Sequence, residues 1–255
     1  MCLILFSWDQ HEKYKLVLAA NRDEFYSRPT RKAHYWEESP QVFAGKDLVA
    51  GGSWMGISKS GKFAAITNYR DLKNSKPASN YISRGNLIAN YIKSDYSPFE
   101  FLKSTQELGT LYDGFNLLVG DFHDLYFFSN VENEIKKLES GIYGLSNHLL
   151  NTPWPKVLKG KQLLKDQLSI DGFKDDKILN MLINIDHAED KDLPDTGLEL
   201  SFERSLSPMF IKMDDYGTRS STLLKISRDG KYSFHERTFE NGVLKEEASE
   251  QLNLF

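Results

Sequence analysis

Cys2-Leu3-Ile4-Leu5-Phe6-Ser7-Trp8, a polar stretch from Asp9 to Lys13, and Tyr14-Lys15-Leu16-Val17-Leu18-Ala19-Ala20 open the chain, and their reading decides the fold. Two apolar runs of strand length separated by five polar residues predict a hairpin of buried strands. The next pair, Ser53 to Ser58 and Lys62 to Asn68, flanks Lys59-Ser60-Gly61, where glycine supplies the positive φ of a tight turn. The first quarter of the chain is therefore mainly sheet.

Helices follow. Leu87, Ile88, Tyr91 and Ile92 recur at helical spacing behind Ser83, read as the N-cap, and Pro98 opens a second helix with Phe99, Phe101, Leu102 and Leu108. Phe115 to Gly120, Leu125 to Asn130 and Gly141 to Asn147 return to strand before Pro153 and Pro155 interrupt the chain. Leu158, Leu163, Leu164 and Leu168 mark a third helix, and Ile178, Leu179, Leu182 and Ile183 a fourth. Thr218 to Ser227, Lys231 to Thr238 and Gly242 to Glu246 end the chain as strands. Strands gathered at both ends and the middle, with helices inserted in pairs, do not give the alternation of a doubly wound parallel sheet. They predict an α+β protein of two packed sheets covered by helices, in a single domain over 1–255. The acidic segment from Asp186 to Asp195, without periodicity, reads as a solvated loop or a flap.

Composition narrows the function. A net charge of -4 with no basic stripe argues against nucleic acid, and no apolar run reaches the length of a membrane-spanning helix. The opening residues are too short for a signal peptide and lack a basic leader, so the cytoplasm is the expected location. With one cysteine there is no intrachain disulfide and no thiolate metal cage, and the six histidines show no zinc spacing, so no metal site is expected. A redox sensor would lack a second cysteine to resolve a sulfenic acid.

The position of that cysteine carries the chemistry. Removing Met1 leaves a thiol and a free α-amine on the same residue, with ordinary pKa values of about 8.5 and about 8. The amine can then take the thiol proton without a histidine, and the thiolate can attack an amide or a related ester. Alternatively Cys2 is simply a small buried apolar residue. Such a nucleophile needs a carboxylate for the ammonium and donors for the oxyanion. Asn21-Arg22-Asp23-Glu24 sits at the end of the second strand, beside Cys2 if the strands pair, although it can also be a solvated turn.

Met1-Cys2 with Ala20-Asn21-Arg22-Asp23-Glu24-Phe25 and Arg28-Pro29 resembles the opening signature of the NRDE family, also called the transport and Golgi organisation protein 2 family. Further blocks match in order: Gly51-Gly52-Ser53-Trp54-Met55-Gly56, Thr67-Asn68-Tyr69-Arg70, Ser83-Arg84-Gly85, Gly114-Phe115-Asn116-Leu117, Gly144-Leu145-Ser146-Asn147, Thr152-Pro153-Trp154-Pro155-Lys156 and Tyr216-Gly217-Thr218-Arg219-Ser220-Ser221. The resemblance implies a four-layer αββα sandwich of the N-terminal-nucleophile hydrolase type, related to choloylglycine and penicillin V amidases. It implies Cys2 as nucleophile, Asp23 as the carboxylate, and Asn68 and Asn147 as oxyanion donors.

Those amidases place an arginine before the asparagine of this turn; here Ala20 holds that place and Arg22 follows Asn21. A shift of one residue sends a side chain to the other face of a strand. Arg22 is then either structural or part of the binding site with Asn21, and Arg219 is the other candidate cation. Trp54 reads as core, rim or ligand wall. His148 reads as a hydrogen-bonded structural residue, a pocket residue or an iron ligand.

Two functions follow from the resemblance. One is an amidohydrolase or acyltransferase acting on a small non-peptide amide or a thioester, with no cofactor required. The other is a binding or trafficking protein for haem, lipid or acyl-coenzyme A that keeps the fold without the chemistry. Glu37 to Asp47 and Asp186 to Leu206 are the expected specificity loops.

Overall fold

The computed structural model describes residues 3–74 and 81–254. Leu3–Trp8 (β1) and Tyr14–Phe25 (β2) pair antiparallel, Leu3 opposite Asn21 and Trp8 opposite Leu16. β2 runs past Ala20, so Asn21 to Glu24 is strand rather than turn, with Asn21, Arg22 and Asp23 buried. Its other neighbour explains the extension. Tyr216–Ser227 (β11) lies along β2 and supplies hydroxyl partners to its buried polar side chains.

Gly141–Leu145 (β10), Lys231–Glu240 (β12) and Val243–Asn253 (β13) complete a six-stranded sheet in the order β10-β1-β2-β11-β12-β13. The second sheet runs in chain order through Thr30–Trp36 (β3), Ser39–Asp47 (β4), Met55–Ser58 (β5), Phe63–Asn68 (β6), Phe115–Gly120 (β7), Leu125–Ser129 (β8) and Glu134–Lys137 (β9). Every strand pair among the described residues is antiparallel. Gly61 takes φ +82° in the turn between β5 and β6, as read from Lys59-Ser60-Gly61.

Successive side chains of a strand point to opposite faces, and here both faces are covered. Ile4, Phe6, Leu16 and Leu18 meet Phe63, Ala65 and Leu118 between the sheets. Leu3, Leu5, Val17 and Ala19 face outward onto Pro155–Leu168 (α3) and Asp175–Met181 (α4). Ala64, Ile66, Leu117 and Val119 face Asn86–Lys93 (α1) and Pro98–Glu107 (α2). The result is the four-layer αββα sandwich, and it explains the unbroken apolar runs: each Val, Leu, Ile or Phe side chain gains about 1.5–3 kcal/mol by leaving water, whichever face it occupies.

Several boundaries differ from the sequence reading. Glu37 to Asp47 is largely the strand β4, paired to β3 and β5, and not a loop over the cleft. β3 and β9 were hidden because they carry exposed charges, as edge strands do. β13 extends to Asn253 for the same reason. α1 starts behind Gly85 with no side-chain cap, whereas Ser97 caps α2 in a reciprocal arrangement with Glu100. Gly52 and Gly85 meet so closely that a Cβ on Gly52 would lie 2.4 Å from the Gly85 carbonyl carbon, and Ser53 N–H donates to Gly85 O at 3.1 Å. Two of the quoted blocks, far apart in sequence, are thus one contact that seats the start of α1.

Candidate functional site

Cys2 lies outside the described residues; the geometry begins at Leu3. Leu3 and Asn21 face each other at the end of the β1–β2 ladder, two residues from Asp23. Asn21 is wholly buried and its amide is fully used: Nδ2 donates to Leu182 O at 3.0 Å and Met209 O at 2.8 Å, and Oδ1 accepts from Ser221 at 2.6 Å. It fastens β2 to the segment beyond α4. Asp23, on the same face, accepts from the Thr218 hydroxyl at 2.6 Å, and Thr218 Oγ1 accepts from Ile211 N–H at 2.9 Å. Thr218 stood in a quoted block, but only the β2–β11 register pairs it with Asp23.

Arg22 points the other way, into the space between the sheets. It is 4% exposed, with its guanidinium 4.3 Å from the centre of the Trp54 ring, and Glu24 and Asp47 stand 3.6 and 3.9 Å from Nη2. Burial lowers the Arg22 pKa from its ordinary value. Burial also opposes ionisation of Asp47, but the Arg28 hydrogen bond at 2.7 Å and the N–H groups of Ala50 and Val49 hold its pKa below the usual range. Arg219 sits on a bulge of β11 and donates through Nη1 to the carbonyls of Phe25, Tyr26 and Arg28, closing the chain after β2. Trp54 is a buried platform under Arg22.

Asn68 ends β6 in one sheet and Asn147 follows β10 in the other, and the two meet. Asn147 Nδ2 donates to Asn68 O at 3.1 Å, while Arg70 N–H donates to Asn147 O at 2.7 Å. Both asparagines line a cleft of about 390 Å³. Its apolar wall includes Phe25, Leu72, Phe202, Leu206, Ile211 and Met213, and Arg70, Arg84 and Lys156 supply cations that were not read from the sequence as site residues. Their blocks were visible, but three cations on separate elements have no local pattern that would announce a shared wall.

The acidic segment Asp186 to Asp195, read as a solvated loop or a flap, is a largely exposed loop with one short turn at Asp190–Asp192, tied at its side chains to the helix that follows. Arg204 of Leu200–Ser205 (α5) binds Asp190 through Nε at 2.9 Å and Nη2 at 2.7 Å. Buried Glu203 holds Arg70 at 3.0 Å and accepts from Thr196 N–H at 3.0 Å. α5 and the cleft wall are thereby one piece. His148 lies behind Asn147 with both ring nitrogens engaged, Nε2 to the Tyr69 hydroxyl and Nδ1 to Thr152 Oγ1, each at 2.9 Å; burial lowers its pKa.

The family's sequence model, Transport and Golgi organisation 2, matches residues 1–241. The chain belongs to the Transport and Golgi organisation 2 family. It is 36% identical to the Transport and Golgi organization protein 2 homolog of Bos taurus, over 93% of each chain, and 27% identical to Transport and Golgi organization protein 2 of Drosophila melanogaster, over 93% of this chain and 92% of that one. Among solved structures it resembles the Caenorhabditis elegans N-acylethanolamine-hydrolyzing acid amidase ortholog, with a TM-score of 0.50 and 10% identity over 88% of this chain and 92% of that chain. That likeness shows the fold, which is of the N-terminal-nucleophile hydrolase type. The family match ends two residues before β13 begins, so the outermost strand of the first sheet lies beyond it. No helix among the described residues is long and apolar enough to cross a membrane.

Proposed function

We infer that the chain is a Cys2-dependent amidohydrolase or acyltransferase acting on a small non-peptide amide or a thioester. The observation that carries this reading is the linked pair Asn68–Asn147 on a largely apolar cleft, with the buried Asp23 carboxylate joined to Ile211 of the cleft wall through Thr218, whose hydroxyl donates to Asp23 and accepts from Ile211 N–H. Cys2 directly precedes Leu3, which is paired to Asn21.

In the proposed reaction the α-amine of a chain beginning at Cys2 takes the thiol proton, and Sγ bonds to the carbonyl carbon of the substrate. Asp23 orients the resulting ammonium. The side-chain amides of Asn68 and Asn147 support the oxyanion; an amide nitrogen carries two hydrogens, so the bond to Asn68 O leaves Asn147 another to donate. The C–N or C–S bond then breaks, the ammonium returns its proton to the leaving amine or thiol, and an S-acyl enzyme remains. Water, or an acceptor amine in the transferase case, attacks that thioester and restores the thiol.

The cleft supports one further reading, a carrier that holds an apolar ligand such as haem, a lipid or an acyl-coenzyme A without reacting; the apolar wall suits it, while Arg70 and Arg84 are already paired with Glu203 and Asp113. The haem version has a cost at His148, because either ring nitrogen must surrender a hydrogen bond to bind iron. A panel of acyl amides and thioesters separates the readings. Turnover that Cys2→Ala abolishes, while Cys2→Ala still binds the same compounds, supports the enzyme. Tight binding without turnover in the unmodified protein, unchanged in Cys2→Ala, supports the carrier.

A further inference from the structure

On the face of β2 opposite to Asn21 and Asp23, the inner surface of the first sheet turns polar. Arg22 stands opposite Ser220, Ser220 opposite Thr238, and Thr222 opposite Glu236. A small cavity lies against Arg22, Arg219, Ser220, Glu236 and Thr238, with Trp54 on the far wall, and Arg31 and Lys32 of β3 flank its exposed side.

Three buried atoms of this lining have no hydrogen-bond partner among the described residues: Arg22 Nη1, Arg219 Nε and Thr238 Oγ1. Buried donors left unpaired are costly, and two guanidinium N–H groups with a hydroxyl around one small space call for a shared acceptor. The carboxylates closest to Arg22 are beyond hydrogen-bond reach at 3.6 and 3.9 Å. Charge points the same way, since four cationic side chains and one carboxyl group line the cavity. Lys32 is paired outward with Glu246 at 2.6 Å, but Arg219 spends Nη1 on uncharged carbonyls and forms no ion pair among the described residues. The one carboxyl, Glu236, already accepts from Ala33 N–H at 2.7 Å, from Thr222 at 3.4 Å and from the Ser220 side chain, and burial pushes its pKa up to about 7, so at neutral pH it carries less than a full charge. The two guanidinium N–H groups can only donate, and the Thr238 hydroxyl can donate as well as accept. An anion accepts from all of them.

We propose that this cavity is a binding site for a small inorganic anion of chloride's size, held by Arg22 Nη1, Arg219 Nε and the Thr238 hydroxyl. The site is separate from the cleft and independent of any reaction at Cys2. It ties β2 to β11 at the Arg219 bulge, one residue from Asp23's brace at Thr218.

Crystals of the full chain soaked in sodium bromide and measured at the bromine edge test it, together with melting in sodium chloride and sodium gluconate at equal ionic strength. An anomalous peak between the Arg22 and Arg219 side chains is expected, with a chloride increment in Tm of about 2–4 °C over gluconate. Thr238→Val, which keeps the side-chain shape, should lose much of that increment, and Arg22→Met, if it folds, all of it. A peak with no anomalous signal, that of ordinary water, overturns the proposal. So does a chloride increment of the same size in Thr238→Val as in the unsubstituted protein.

Discussion

At the residue scale, the decisive feature of the opening signature is that its polar side chains alternate faces along one strand. Asn21 and Asp23 turn toward the helical layer, where Ser221 and Thr218 satisfy them, and Arg22 turns between the sheets onto Trp54. Residue types alone left Arg22 open between a structural and a binding role, because alternation fixes that faces differ but not what lies on each. Glu236 gives a test on the Arg22 side. Its ordinary pKa is 4.5, and burial raises it to about 7, opposed by bonds from Ala33, Thr222 and Ser220 and by Arg22. Below pH 4.5 both folded and unfolded chains hold the proton, and the contribution to stability is complete. Between about 4.5 and 7 only the folded chain holds it, so stability falls as pH rises, by up to a few kcal/mol at about 1.4 kcal/mol per pK unit, and levels off above 7. Glu236→Gln cannot ionise, so urea midpoints taken from pH 5 to 8 at constant chloride should fall less steeply than those of the unsubstituted protein. Parallel curves would remove Glu236 as the titrating group.

At the element scale, β1, β2, the β5–β6 hairpin, α2 and the run from β7 to β8 were legible, because apolar stretches of strand length and a Ser97-Pro98 start leave few alternatives. β3, β9 and the outer part of β13 were not, because charge on an exposed edge erases the apolar signal and only the neighbouring strand defines them. The end of β2 was misjudged for a related reason: Asn21 to Glu24 looks like turn chemistry until β11 is laid beside it. The contact between Gly52 and Gly85 sharpens the point, since it joins a loop to the start of α1 where Ser83 had seemed the cap. A Cβ on Gly52 would meet backbone rather than a yielding side chain, and overpacking of this kind costs about 1–3 kcal/mol. Gly52→Ala should lower Tm by several degrees. Gly51→Ala has open space around its Cβ but a φ of +73°, so its loss should come from backbone strain alone. Equal stability of Gly52→Ala and the unsubstituted protein would mean that α1 is not seated by this contact.

At the scale of the whole molecule, the stacked sheets bring Asn68 from one and Asn147 from the other to a single cleft, which is why a sandwich can build a site from blocks nearly eighty residues apart. Resemblance made those two asparagines legible. The cations Arg70, Arg84 and Lys156, and the Glu203 anchor beneath Arg70, were not legible, because they converge from separate elements and matter only once α5 folds against the cleft. The central claim is that Cys2, as the first residue of the mature chain, carries the acyl group. Intact-mass and peptide analysis of protein mixed briefly with an acyl thioester tests this most directly. The account predicts a chain lacking Met1 that gains one acyl mass on Cys2, more slowly in Asp23→Asn and not at all in Cys2→Ala. A chain that turns over the thioester while retaining Met1, or an acyl mass that persists in Cys2→Ala, would contradict it.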